Sequence, residues 1–198
     1  MGTSLVAEPE RDVDLFAGCR RGDPRAQRAV FERYRDRVFS IALHFLKGEH
    51  AGAQDVTQEV FVKVFRGAPS FRGDARLSTW LYRIVANACL DELRRRRRLV
   101  FFGDLPAAIQ PVAPAAELGD VDAEVASAVA RLSPRLRIAV LLRYFDDLSY
   151  EEIAGALRVT PGTVASRLSR AHAILARELA HRRPSVAAPE EHGDVTQS

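Results

Sequence analysis

The chain has only two Cys in 198 residues, and that scarcity removes a class of explanation. Cys19 and Cys89 stand 70 residues apart with no Cys-x-x-Cys. That argues against a disulfide scaffold or a zinc ribbon and suits a reducing cytosol. The five histidines (His44, His50, His172, His181, His192) are scattered, none at metal-ligand spacing from a cysteine, which predicts ordinary core or surface roles. No apolar run approaches the roughly 18 residues that span a bilayer. The opening MGTSLVAEPERD lacks a basic start followed by an apolar core. The expected location is therefore cytoplasmic, without membrane insertion. Nucleophile–base pairs, metal clusters and phosphate-cradling glycine loops are also missing from the pattern, so no catalytic role, cofactor or metal is expected.

What the chain does have is charge laid out in blocks. From Arg72 to Arg98 eight arginines face three acids, a net of +5, whereas Leu99 to Asp122 holds four acids and no Lys or Arg. Alternating fields of that size fit nucleic-acid contact beside an acidic connector. The five consecutive arginines Arg94–Arg98, taken alone, fit a solvated charge run equally well. A length of 198 residues with 47% apolar content suits two small domains.

Residues 1–11 read as a short mobile lead. Asp23 followed by Pro24 supplies a cap and a first helical residue. Ala26, Val30, Tyr34, Val38, Ile41, Ala42 and Phe45 then recur at helical steps until Gly48. The next helix, about 51–66, puts Val56, Val60, Val64 and Phe65 on one side and Asp55, Gln58, Glu59 and Lys63 on the other. The loop GAPSFRGDARLS, with two Gly and two Arg, is too basic for a neutral turn, and loops on rigid scaffolds are where binding residues concentrate. From Thr79 a helix resumes, with Trp80, Leu81, Ile84, Val85, Ala88 and Leu93 apolar. Arg83, Asn87, Asp91 and Arg94 form a polar stripe able to bond base edges and phosphates. Trp80 and Tyr82 alone would more often be packing residues.

Residues 99–120 carry three Pro and no sustained period, the mark of a linker, whose Phe101–Phe102 pair could dock on the first domain. Beyond it, Ser133–Pro134 opens one helix, and Ser149 with Glu152 forms a capping box for YEEIAGAL. After the turn RVTPG, TVASRLSRAHAILAREL completes a helix-turn-helix pattern. Ser166, Arg167, Ser169 and Arg170 lie near the start of its second helix, the end that enters a major groove in such motifs. Helical hairpins with no DNA role share this pattern. The tail from residue 182 is polar and reads as disordered.

With both halves in view, the chain resembles the extracytoplasmic function group of bacterial RNA polymerase sigma factors over about residues 12–180. DVTQEVFVKVFR is similar to the segment that docks on the clamp helices of the largest polymerase subunit. FRGDARLSTWLYRIVANACLDELRRRRR is similar to the segment that melts and reads the minus-ten element. LSPRLRIAVLLRYFDDLSYEEIAGALRVTPGTVASRLSRAHAIL is similar to the sigma-four domain, which binds the minus-thirty-five element and the polymerase flap.

The resemblance implies an all-α fold of two small helical domains, a sigma-two bundle at 12–98 and a sigma-four helix-turn-helix at 121–181, joined by a flexible acidic linker at 99–120. It implies that Asp55, Gln58 and Glu59 contact core polymerase (beta and beta-prime subunits). Phe71, Arg72, Arg76, Ser78, Thr79, Trp80, Arg83, Asn87, Arg94 and Arg95 would contact minus-ten DNA. Thr163, Ser166, Arg167 and Arg170 would contact minus-thirty-five DNA. The partners implied are core RNA polymerase, promoter DNA and an anti-sigma factor, with no small-molecule substrate. Ala165 stands where many members carry a basic or polar residue, and His172 replaces a common Arg, which leaves the minus-thirty-five sequence open. Two rival readings are a sigma-like decoy that occupies an anti-sigma factor and a plain helix-turn-helix regulator. The second gives the first domain no role.

Overall fold

The structure, a computed structural model, describes residues 16–71, 77–101 and 120–180. The expected mobile lead, most of the linker including Phe102, and the tail from residue 182 lie outside the described residues. After a helical segment at 16–20, helix α1 (Pro24–Phe45) starts where Asp23 accepts a hydrogen bond from the Arg25 N–H at 2.9 Å. It buries the seven residues that the period picks out, from Ala26 to Phe45. It stops where Lys47 and Gly48 take φ of 63° and 86° and the Gly48 N–H reaches back to the Leu43 carbonyl at 2.8 Å.

Helix α2 (His50–Gly67) and a 3-10 turn (Ala68–Ser70) lead to the longest helix, α3 (Leu77–Phe101). At 1.5 Å per residue α3 is about 38 Å long. It begins two residues before the expected Thr79 and runs three past Arg98 into the segment read as linker, because Leu99, Val100 and Phe101 contain no helix breaker. The second half is α4 (Asp120–Arg131), α5 (Pro134–Asp146), α6 (Tyr150–Leu157) and α7 (Pro161–Ala180). All described elements are helical. The Ser149–Glu152 box is formed in both directions, at 3.2 and 2.9 Å. Arg158 (φ 54°) then turns the chain so that Thr160 Oγ1 can accept the Thr163 N–H at 3.2 Å and cap α7.

The two halves pack directly on one another, α3 against α6 and α1 against α5, and their buried residues form one continuous core. Gly155 lies so close to α3 that a Cβ there would stand 3.0 Å from Thr79 Cγ2. Arg137 is the polar centre of the junction, 4% exposed. Its guanidinium donates to Val129 O (3.2 Å), Ala130 O (2.5 Å) and Leu132 O (2.8 Å) at the end of α4, and to Phe45 O (2.7 Å) at the end of α1. Helix C-termini carry partial negative charge, so two of them together hold this cation without a carboxylate. Burial still pushes the guanidinium down to about 10. Nearby, Arg37 of α1 meets Asp146 of α5 at 3.0 Å.

Candidate nucleic-acid interface

Helix α2 turns Val56, Val60, Phe61 and Val64 inward, which leaves Asp55, Gln58 and Glu59 together on the exposed side. The like charges four apart repel mildly. Lys63 offsets this with an ion pair to Glu59 at 2.5 Å. Phe65, expected inside, is half-buried, and Phe61 takes the core position instead, edge-on to Phe31 with centroids 4.8 Å apart.

On α3 the buried positions Leu81, Val85, Ala88 and Glu92 face one way, so Asn87, Asp91 and Arg94 emerge on the other, with Arg83 half-buried beside them. The stripe expected from spacing is therefore one outward surface. Asp91, one turn along α3 from the exposed Asn87, is engaged with Arg94 at 2.5 Å. Arg72 and Arg76 lie outside the described residues. Phe71 and Trp80 do not stand free as stacking platforms. They pack with Phe16 in an aromatic trio whose centroids are 5.0 to 5.3 Å apart. The trio holds the start of the basic loop against the start of α3. Ser78 and Thr79 are half-buried, and Thr79 faces α6.

The arginine run is not one uniform patch. Arg95 donates twice to Glu92, at 2.7 and 3.1 Å, and Arg96 donates to Glu92 at 2.6 Å and also to Glu49. Burial alone would raise the Glu92 carboxyl, but these two arginines outweigh it and hold the group below its ordinary range. Arg95 is raised chiefly by its hydrogen bond to Glu92, with smaller contributions from the charges of Asp55 and Glu59. The acidic face of α2 and the basic end of α3 therefore adjoin. Arg97 and Arg98 are exposed.

In the helix-turn-helix, Val164, Leu168 and Ala171 pack α7 inward, while Arg170 is exposed and Ser166 half-buried one turn earlier on the same side. Thr163 is committed to Thr160, 3.0 Å between hydroxyls. Arg167 is lowered by burial and by the neighbouring positive charge of Arg135. Arg135, which spacing alone did not single out, thus adds a second cation beside the α7 N-terminal region. His172 shares a 2.8 Å hydrogen bond with Tyr144 Oη. The thiols of Cys19 and Cys89 are both raised by burial, Cys89 to about 12, so neither is a reactive thiolate. Among the described residues no group of three or more His, Cys, Asp or Glu could hold a metal ion.

Phe16, Arg96 and Arg137 were also not legible as site or junction residues. Phe16 and Arg137 read as ordinary helix positions and Arg96 as one of five alike. Only their partners, far along the chain, distinguish them.

Comparison with known proteins agrees with this geometry. Residues 30–99 match the family model of sigma-70 region 2, and residues 122–175 match that of sigma-70 region 4. The chain is 34% identical over 175 residues to the RNA polymerase sigma-H factor of Pseudomonas aeruginosa, covering 82% of this chain and 90% of that one. It is 36% identical over 176 residues to the ECF RNA polymerase sigma factor SigM of Mycobacterium tuberculosis, covering 86% and 85%. Among solved structures, CnrH in complex with the cytosolic domain of CnrY matches with a TM-score of 0.66 at 25% identity, over 86% of this chain and 98% of that one. The sigma factor RpoE of Bartonella quintana, in complex with the anti-sigma factor NepR, matches with a TM-score of 0.65 at 25% identity, over 79% and 98%. With both regions matched in order, the chain belongs to the extracytoplasmic function family of RNA polymerase sigma factors.

Proposed function

We propose that this protein binds core RNA polymerase through Asp55, Gln58 and Glu59, captures the minus-ten strand on α3, and reads the minus-thirty-five element with α7. The observation that carries the reading is the adjacency of two unlike surfaces on packed helices. An exposed acidic face on α2 lies against a helix whose outward stripe is Asn87, Asp91 and Arg94, with Arg83 half-buried beside them. The first suits a basic protein surface. The second suits phosphates and an extruded base, whose removal from the stack costs a few kcal/mol that the amide and guanidinium contacts offset. Ser166, Arg167 and Arg170 on α7, with the charge of Arg135 of α5 near Arg167, supply phosphate and base-edge donors. Phe71 and Trp80 act by packing with Phe16 beside the start of α3.

The packed arrangement also bears on how the two elements are read. Their names place them about 25 base pairs apart, or about 85 Å along a duplex at 3.4 Å per step. In the packed chain Thr79 touches α6, and Asn87 lies eight residues, about 12 Å, further along α3. The α7 reading positions begin a short turn after α6. The halves must therefore part for one molecule to engage both elements. No described helix is long and apolar enough to cross a membrane. The reading places the protein in the cytoplasm, on the nucleoid when active, or held by an anti-sigma factor of the kind seen with its structural relatives.

The test is run-off transcription with purified core polymerase. Promoter-specific products that appear only when this protein is added are the expected result. Core binding without specific product would favour the decoy reading instead.

A further inference from the structure

The five arginines Arg94–Arg98 look interchangeable in sequence, yet their side chains differ sharply in exposure. Arg94 is 69% exposed and Arg95 58%, whereas Arg96 is 17%. Arg96 Nε donates to Glu92 Oε1 one turn back on α3, at 2.6 Å, and its Nη2 donates to Glu49 Oε2, 47 residues away. Glu49 is itself the N-cap of α2, with its other oxygen accepting the Gly52 N–H at 3.0 Å. A Cβ built at Gly52 would overlap both Arg96 Nη2 and Glu49 Oε2. The first turn of α2 therefore lacks a side chain where the guanidinium passes.

These contacts join the positive end of α2, neutralised by Glu49, to the C-terminal half of α3 through one two-pronged cation. Asp55 and Glu59 follow within three turns on α2, and Arg94, Arg97 and Arg98 project from the neighbouring turns of α3. Building on the reading above, we propose that Arg96 is a positioning residue and not a DNA contact: it sets the polymerase-docking face of α2 in register with the strand-capturing face of α3, while Arg94, Arg97 and Arg98 hold phosphates. A lysine could not serve, because a single ammonium lacks the planar fork that spans Glu92 and Glu49 together. An alanine at Gly52, ordinarily helpful inside a helix, would displace the guanidinium and act like loss of Arg96.

The experiment uses the full chain with purified core polymerase and a promoter fragment, over a range of salt concentrations. Two quantities are read for each variant: affinity for core, and the slope of log affinity for promoter against log salt. Arg94→Gln, Arg97→Gln and Arg98→Gln should each flatten the slope by about 0.7 to 0.9, one phosphate contact apiece, with core affinity kept. Arg96→Gln, Arg96→Lys and Gly52→Ala should leave the slope unchanged and weaken core binding about tenfold, the scale of one lost charge-assisted contact.

Measurements are made well below each variant's melting midpoint, so a merely stabilising role would leave the affinity of the folded protein unmoved. The double variant Arg96→Gln/Gly52→Ala should be no worse than either single change, because both break one contact. Arg96→Gln that flattens the slope like its neighbours, or that keeps full core affinity, overturns the proposal. A wild-type holoenzyme that shows no salt-dependent promoter binding at all overturns the underlying reading instead.

Discussion

Asp146 allows the packing of the two halves to be tested by titration. Its side chain is 6% exposed and lies 3.0 Å from Arg37 across the junction. Burial raises its carboxyl from 3.8 to about 6 against the pull of Arg37, with Asp147 and Glu152 adding smaller upward contributions. In the unfolded chain the group returns to the ordinary range. The two values differ by about two units, so at neutral pH, where Asp146 is ionised in both states, its charge disfavours the packed state by about 3 kcal/mol. Between about 6 and 3.8 the packed state binds a proton that the unfolded chain does not. Acidification through that window therefore stabilises the packed form, and the gain is complete below the lower value.

Asp146→Asn carries no such proton. Urea unfolding at about pH 7 and about pH 5 should show wild type gaining about 1.3 kcal/mol on the variant over that interval. Arg37→Gln removes the nearest opposing charge and should move the gain to higher pH. A difference between wild type and Asp146→Asn that stays flat from about pH 7 to about pH 5 would refute the burial of an ionisable carboxyl between the halves.

Charge reversal of the acidic face, Asp55→Lys with Glu59→Lys, should weaken binding to core polymerase while changing folding stability by no more than about 0.5 kcal/mol, since both side chains are exposed. Unaltered affinity in a pull-down or interferometry assay would return that face to ordinary solvated surface. Ser149→Ala opens the capping box of α6 and should cost about 1 kcal/mol in denaturant unfolding. A cost near zero would mean that the box observed at 2.9 and 3.2 Å adds nothing to the helix start.

The features legible in the sequence are those written within a few residues. Asp23–Pro24, Gly48 and Ser149–Glu152 all act over one helical turn, and each performs the task its spacing suggests. The stripe of Asn87, Asp91 and Arg94 was equally readable, because a helix whose core side is known has its outer side fixed. What stayed hidden depends on partners far along the chain. Arg137 meets Phe45 O 92 residues away, and Arg96 meets Glu49 47 residues away. In sequence the first is one more charge in a helix and the second one more arginine in a run. Phe71 and Trp80 joined the minus-ten set through the resemblance, while Trp80 alone read as a packing residue. Their shared partner Phe16, supplied by the segment before α1, could not be read from local spacing. The docking of α3 on α6 was invisible for the same reason, since nothing local marks Gly155 as a point of close approach.

That docking has a consequence for competition. If only the separated form takes up polymerase, the apparent dissociation constant is the intrinsic one divided by the separated fraction. Each 1.4 kcal/mol of added contact between α3 and α6 would then raise by tenfold the concentration at which this chain claims its share of a common polymerase pool. A methyl group more or less where Gly155 meets Thr79 would thereby reset how readily this protein displaces its rivals.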